Sequence, residues 1–438
     1  MAMRVTHTKI YSHRTTPAPG SKIITMSEPH ENTESGQYDP PLTVLCLLVF
    51  LSVIPVTLLV PILKPLVLDR FPVGPFAAHA FLSANMVSAI LAAPAMGWIV
   101  DRIGKRQPIV VGAFVLDAFL LMSLNWAPNY WALMAVRFME GITHIAALTG
   151  VMGAALTLAH RNPERAGGIM GAIGGAIIFA VATGAGLGGA LSRDGILRPI
   201  IAAMLIGLLG ALISGWVLRH DRRVKPQEGG HNLATLMRVF RKEKALLAPC
   251  LFTFADRLLV GIIISSFNLY LVQTLGWSPK QFGFLMSTLL LPFALLCYPF
   301  GKLCRSWSKS GLLVGASLAY ALFVASLAWL DPGWLFPSML VLGVISALNF
   351  SPSLAMVADL TGAESRSTAM GAFNSAGSLG FFAGPLLGGA VVHFMLASGS
   401  PLIESYKMAF IAGGAISILC TLISIPFLIQ LVREGRTT

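Results

Sequence analysis

Charge is what this sequence has least of. Only 11% of its 438 residues are Asp, Glu, Lys or Arg while 55% are hydrophobic, and the mean hydropathy is +0.75. An ordinary soluble domain carries about twice that charge, so a water-soluble chain is excluded. Cysteine is also sparse: Cys46, Cys250, Cys297, Cys304 and Cys420 sit in or beside apolar runs without CxxC or Cys/His spacing. That pattern suits small hydrophobes and gives neither a disulfide framework nor a metal site. No G-x-x-x-x-G-K-[ST] occurs, so no phosphate-cradling loop is present to harvest ATP. Nor do His, Asp or nucleophilic residues cluster at one membrane face, which argues against a membrane-integral enzyme. No cofactor is expected. The first 41 residues lack the apolar core of a signal peptide.

Apolar length is abundant instead. About 20 apolar residues cross a bilayer as a helix, and twelve such stretches occur, near 42 to 63, 76 to 100, 107 to 126, 129 to 158, 166 to 191, 198 to 218, 246 to 273, 281 to 300, 310 to 330, 334 to 358, 368 to 395 and 407 to 432. The expectation is an all-α integral membrane protein with twelve transmembrane helices.

The net charge of +12 does not indicate nucleic acid, because the cations are placed asymmetrically. With both termini cytoplasmic, the tails and the loops on that side hold 23 of the 31 Lys and Arg; the opposite loops hold six. This is the positive-inside bias, and it predicts an inner cell membrane protein with anionic lipid at its basic face.

The longest interior polar segment, RHDRRVKPQEGGHNLATLMRVFRKEK, divides the chain. The predicted organisation is a disordered cytoplasmic tail (1–41), a six-helix bundle (42–218), a cytoplasmic linker (219–245), a second bundle (246–432) and a short cytoplasmic tail (433–438). Met26, before SEPHENTESG, offers an alternative start. Within the linker, Asn232 can cap a short helix with Leu233, Leu236, Met237 and Phe240 on one face. Such a helix would lie on the membrane surface.

The two bundles are related. Residues 164–190 aligned without gaps on 364–390 share ten identities, among them Glu164, Met170, Gly171 and the run Leu187, Gly188, Gly189, Ala190. The fifth span therefore corresponds to the eleventh, and two parallel pseudo-symmetric repeats are the plan of many secondary transporters.

The turn after the second span reads GWIVDRIGKRQ. Its Gly97, Asp101, Arg102, Gly104, Lys105 and Arg106 resemble the G-x-x-x-D-R-x-G-R/K-R signature of the major facilitator superfamily. Arg137, Glu140 and Gly141 resemble that superfamily's R-x-x-q-G segment in the fourth span, with Glu140 where Gln is usual. The resemblance implies alternating access between two bundles, a small-molecule substrate, a monomer, and a cytoplasmic latch in which Asp101 faces the start of the eleventh span near Arg366 to Gly371. The equivalent turn GKLCRSWSK keeps Gly301, Arg305 and Lys309 but has no acid. Gly380, Gly384, Pro385, Gly388 and Gly389 match a glycine motif that the family's exporters carry in the fifth span, where this chain has Gly184, Gly188 and Gly189 with Ala180 and Ala185. In either span such glycines permit close helix packing.

Five charges fall inside spans: Asp117, Arg137, Glu140, Asp256 and Arg257. Each costs about 2.5 to 3.5 kcal/mol at the bilayer centre, so they must be paired or hydrated. Counted from Pro128, Asp117, Arg137 and Glu140 lie at similar depth, and Arg137, Glu140 and His144 share a helix face. Two readings stay open for this group: a proton-coupling relay, or a structural Asp117–Arg137 ion pair with His144 as a polar core residue. In the family resembled, the seventh and tenth spans line the central cavity. Arg257 is assigned to that cavity with Asn349, and Asp256 to packing against a neighbouring helix; Asn85, Lys64 and Asp69 rank lower. The expected function is proton-coupled efflux of a small organic solute. The alternatives are an importer of a small organic solute or metal chelate, and a transport-inactive sensor or assembly protein on the same fold.

Overall fold

Lipid offers backbone N–H and C=O groups no partner, so a chain this apolar satisfies them within helices. The computed structural model describes residues 40–103, 105–162, 165–220, 241, 243–303, 307–361 and 363–434. Among these no strand occurs, and twelve helices follow one another: α1 (Leu42–Leu58), α2 (Pro75–Ile103), α3 (Gln107–Ser123), α4 (Tyr130–Arg161), α5 (Ala166–Leu191) and α6 (Leu197–Val217) in the first half. The second half has α7 (Leu247–Ile262, carried through a π turn at Ile263–Phe267 into Asn268–Thr274), α8 (Pro279–Leu303), α9 (Lys309–Ser326), α10 (Leu335–Leu360), α11 (Ala363–Ala397) and α12 (Leu402–Arg433). The postulated linker helix, residues 1–39 and residues 435–438 lie outside the described residues.

Eleven of these helices are long and apolar enough to span a membrane; α1, with 17 residues, is shorter than its expected extent to residue 63. Seventeen residues rise only about 25 Å. Pro61 and Pro65 explain the early stop, since each removes a ladder donor. The chain then turns and resumes as a π segment, Lys64–Leu68. Adding the 200-residue repeat interval to Lys64 lands on residue 264, within the π turn of α7. Neither π segment was visible as a hydropathy signal.

The outside is as apolar as the inside. Leu212, Leu295 and Phe394 are each more than 70% exposed, which is tolerable only in lipid. Exposed Trp126, Trp131, Trp329 and Trp334 ring one end, and Trp216 and Trp307 mark the other, as interfacial aromatic belts do. The second end, where α6 stops and α7 begins, is termed the linker end; the first is the far end.

Packing repeats between the halves. Within the first, α1 lies on α5, α2 on α4 and α3 on α6; within the second, α7 lies on α11, α8 on α10 and α9 on α12. The halves meet where α2 touches α11 and α5 touches α8, contacts that the same symmetry exchanges. Glycine makes these approaches possible. A Cβ on Gly184 would overlap Thr57 of α1, and one on Gly384 would stand 2.9 Å from the Gly261 Cα of α7.

Candidate functional site

The α3–α4 hairpin sets the depth of the buried charges. Asn129 caps α4 by accepting from Ala132 N–H at 2.8 Å, and Arg70 donates to the carbonyls of Leu124, Asn125 and Ala127 around the turn. With the turn pinned, the two helices have one register, and it brings Thr143 of α4 opposite Asp117 of α3. The hydroxyl of Thr143 donates to Asp117 Oδ1 at 2.8 Å.

Arg137 does not reach Asp117. Its Nη1 donates to Glu140 Oε2 at 2.6 Å, one turn along its own helix, and the same oxygen accepts from Asn85 Nδ2 of α2 at 2.8 Å. The guanidinium also lies over the Phe81 ring, 5.0 Å from its centroid. Arg137 is 2% exposed and Glu140 fully buried. The postulated Asp117–Arg137 pair is thus replaced by a pair within α4, because i, i+3 spacing already brings Glu140 to the guanidinium. Four polar atoms remain without a partner: Asn85 Oδ1, Arg137 Nε, Glu140 Oε1 and His144 Nδ1. A buried cluster with two free acceptors on one carboxamide and one carboxylate is equipped to take up a donor, either a proton or a solute N–H or O–H.

In the second half, Asp256 of α7 is buried, with Oδ2 3.7 Å from Arg257 Nε, beside Asn349 of α10. Asp256 Oδ1 and Asn349 Oδ1 have no partner. Arg257 is 18% exposed and lies between the rings of Phe350 and Phe381, 5.1 and 5.2 Å from their centroids. A Cβ on Gly380 would stand 3.0 Å from the Arg257 Cβ, so the glycine of α11 makes room for this side chain. Lys64 and Asp69 pair with each other at 3.2 Å beyond the end of α1.

At the linker end, Gly97, Asp101 and Arg102 belong to the last turns of α2, and Gly104 lies outside the described residues. Lys105 is exposed. Arg106 is buried and donates to Thr157 Oγ1 of α4 at 3.0 Å, so this cation staples the hairpin to its own half. The related turn of the second half does have an acid, supplied from elsewhere in the chain: Lys309 pairs with Asp359 of α10 at 2.9 Å. Gly188 packs on Leu58 of α1 and Gly388 on Ser266 of α7, whereas Gly189 and Gly389 meet the opposite half. Pro385 abuts Gly261.

Sequence reasoning missed the polar groups of the seam. His79 of α2 is 2.9 Å from Ser266 Oγ of α7, Asn268 Nδ2 donates to Val60 O at 2.7 Å, Ser83 Oγ to Phe382 O at 3.2 Å, and Ser287 Oγ to Ala182 O at 2.9 Å. All four cross between halves, and all lie toward the far end. Single Ser, Asn and His residues in apolar runs carry no periodic signal, so only the fold could pair them. Among the described residues no group of three His, Cys, Asp or Glu is placed to hold a metal.

Comparison with known proteins adds to this geometry. A family model described as Major Facilitator Superfamily matches residues 45–256 and 249–437. An uncharacterized MFS-type transporter of Methanocaldococcus jannaschii is 24% identical over 74% of this chain and 83% of its own length. The multi-drug resistance efflux pump PmrA of Streptococcus pneumoniae is 24% identical over 52% of this chain, and the chain spans about half (54%) of that relative. Among solved structures, a bacterial homologue of the human lysosomal transporter Spinster, inward-facing and occupied, superposes with a TM-score of 0.73 at 13% identity, covering 91% of this chain and 97% of that one.

Proposed function

The chain belongs to the Major Facilitator Superfamily and is a multi-pass membrane transporter rather than an enzyme, and from that premise we propose that it exports a small organic solute in exchange for protons. The observation that carries this reading is the Glu140 carboxylate, buried in the third turn of α4 with one oxygen held by Arg137 and Asn85 and the other free. A carboxylate in that setting can take up a proton from one side of the membrane and release it to the other as access alternates, the gradient supplying the free energy. His144 and Asp117 flank it, and no nucleotide motif supplies another source of energy. Arg257, held between two aromatic faces with Asp256 and Asn349 beside it, is the solute-binding group of the second half. The name of the pneumococcal relative supports export. In this reading the protein works as a monomer in the inner membrane, with both termini and the linker end in the cytoplasm and the far end outside. The far-end seam is then shut.

The test is transport by purified protein in lipid vesicles, with a pH gradient imposed and ethidium or fluorescein as probe. Wild type is expected to move one of them along with a counterflow of protons. Glu140→Gln should lose gradient-driven movement yet keep exchange of the probe between equal pH values. Arg257→Ala should weaken binding of the anionic probe, fluorescein, by about tenfold or more, the loss of one charge-assisted contact. Gradient-driven movement by Glu140→Gln at the wild-type rate rejects the coupling role.

The Asp101 turn is assigned as the cytoplasmic latch, in which the carboxylate would meet the free N–H groups at the start of the eleventh span once the cytoplasmic side closes. Asp101→Asn is expected to insert and express normally but to turn over slowly, since the outward-facing form loses its clasp. A variant with undiminished turnover removes this assignment.

A further inference from the structure

One buried imidazole at the far end is used by neither the coupling group nor the solute site. His79 sits in the second turn of α2 and is fully buried. Its Nδ1 lies 2.8 Å from the carbonyl of Pro75. A carbonyl can only accept, so Nδ1 carries the hydrogen and the neutral ring presents a bare Nε2. That nitrogen is 2.9 Å from Ser266 Oγ, and the hydroxyl therefore donates to it. Ser266 belongs to the π turn of α7, in the opposite half, and π turns inside α-helices recur at functional positions.

The surroundings are specific about charge. On α2 itself the ring meets the Pro75 carbonyl. On α7 it meets Ser266. On α11 it meets Gly388 and Gly389, where a Cβ on Gly389 would stand 2.7 Å from the His79 Cβ; His393, a turn further on, faces the Phe76 ring. On α12 it stacks near the Tyr406 ring, whose hydroxyl donates to Gln273 at 2.6 Å. Lys407 and Glu404, adjacent on α12, pair with each other at 3.3 Å. Among its described partners His79 has no carboxylate and no cation. An imidazolium in the shut seam would be a buried charge without a counter-charge, an unfavourable state. Once the halves part at this end the ring meets water, where imidazole titrates near ~6.5.

We propose that His79 is a proton-binding site of the far-end seam, neutral and bonded to Ser266 while the seam is shut, and loaded by a proton from that face when it opens. The loaded ring then holds the seam open. This goes beyond the coupling role of Glu140 and requires no particular solute. The sign follows from linkage: the open form binds more protons, so the ratio of open to shut protein rises as pH falls. Between about pH 7.5 and about pH 5.5 the increase is about tenfold.

The experiment measures distances between spin labels introduced as genetically encoded residues at positions 126 and 333, exposed far-end sites on opposite halves. In wild type the long-distance population should grow as the pH is lowered. Because Glu140 itself takes up protons in the coupling reading, the response of the seam is read in a Glu140→Gln background, where the growth should persist and His79→Gln should abolish it. Ser266→Ala, which keeps the imidazole but removes its donor, should be more open at both pH values and still respond to acid. A ratio that ignores pH in the Glu140→Gln background, or a response there that survives His79→Gln, overturns the proposal. If His79→Gln does not fold, Ser266→Ala decides: a seam as shut as the wild type's is the overturning result.

Discussion

Arg137→Met is expected to lower the stability of the purified protein by about 3 to 5 kcal/mol, the loss typical of breaking a buried ion pair from one side. The cost lies in what remains. Glu140 is fully buried and would keep only the Asn85 amide as a donor, with its other oxygen already unpartnered. Methionine fills much of the space of the arginine stem and can still lie against Phe81, so the loss reports the charge more than a cavity. Adding Glu140→Gln to the same chain should recover most of the stability, because the orphaned charge is then gone. The two changes are coupled and will not add. By contrast, Asp117→Asn should be mild, since Thr143 and not Arg137 is its partner. Thermal unfolding in detergent of the two single variants and the double variant measures this. A double variant no more stable than Arg137→Met alone would mean that the pair is not the unit described here.

The expectation that a buried Arg and buried acids at one depth must interact was legible because depth follows from helical rise and one short turn. Which acid pairs with which cation was not. Asp117 and Glu140 are both within reach of Arg137 by counting, and the choice depends on Thr143 and Asn85, neutral residues that look like ordinary membrane-helix polarity. The partner of Lys309, in the turn GKLCRSWSK, was hidden for a similar reason. Asp359, its partner, lies fifty residues on, at the end of α10, and only the packing of α9 on α10 delivers it to Lys309. Helix number and order were legible from hydropathy, since the bilayer fixes a minimum apolar length. The break in α1 was not, because proline in a membrane helix sometimes bends it and sometimes ends it.

The repeat alignment has a sharper consequence. Gly188 and Gly189 are neighbours in sequence and in the alignment, yet they face different partners. A Cβ on Gly188 would overlap the Leu58 carbonyl and stand 2.9 Å from the Leu58 Cα, within the first half. One on Gly189 would stand 2.6 Å from the Pro279 carbonyl and 3.1 Å from the Gly283 Cα, both on α8 of the other half. Backbone cannot yield as a side chain can, so each valine forces two helices apart. For Gly188→Val those helices are α1 and α5, which stay together throughout any rocking of the halves, and the fold itself should fail. For Gly189→Val the helices are α5 and α8, whose far ends must separate anyway in the opposite state. That chain should therefore express, unfold near the wild-type temperature and lose transport. Overpacking costs about 1 to 3 kcal/mol, enough to move the open-to-shut ratio about 5- to 150-fold toward an open far end. Expression, thermal unfolding and the distance between labels at 126 and 333 read both. If Gly189→Val proves as unstable as Gly188→Val, or folds with its far end as closed as wild type, the seam does not divide the molecule as these contacts require.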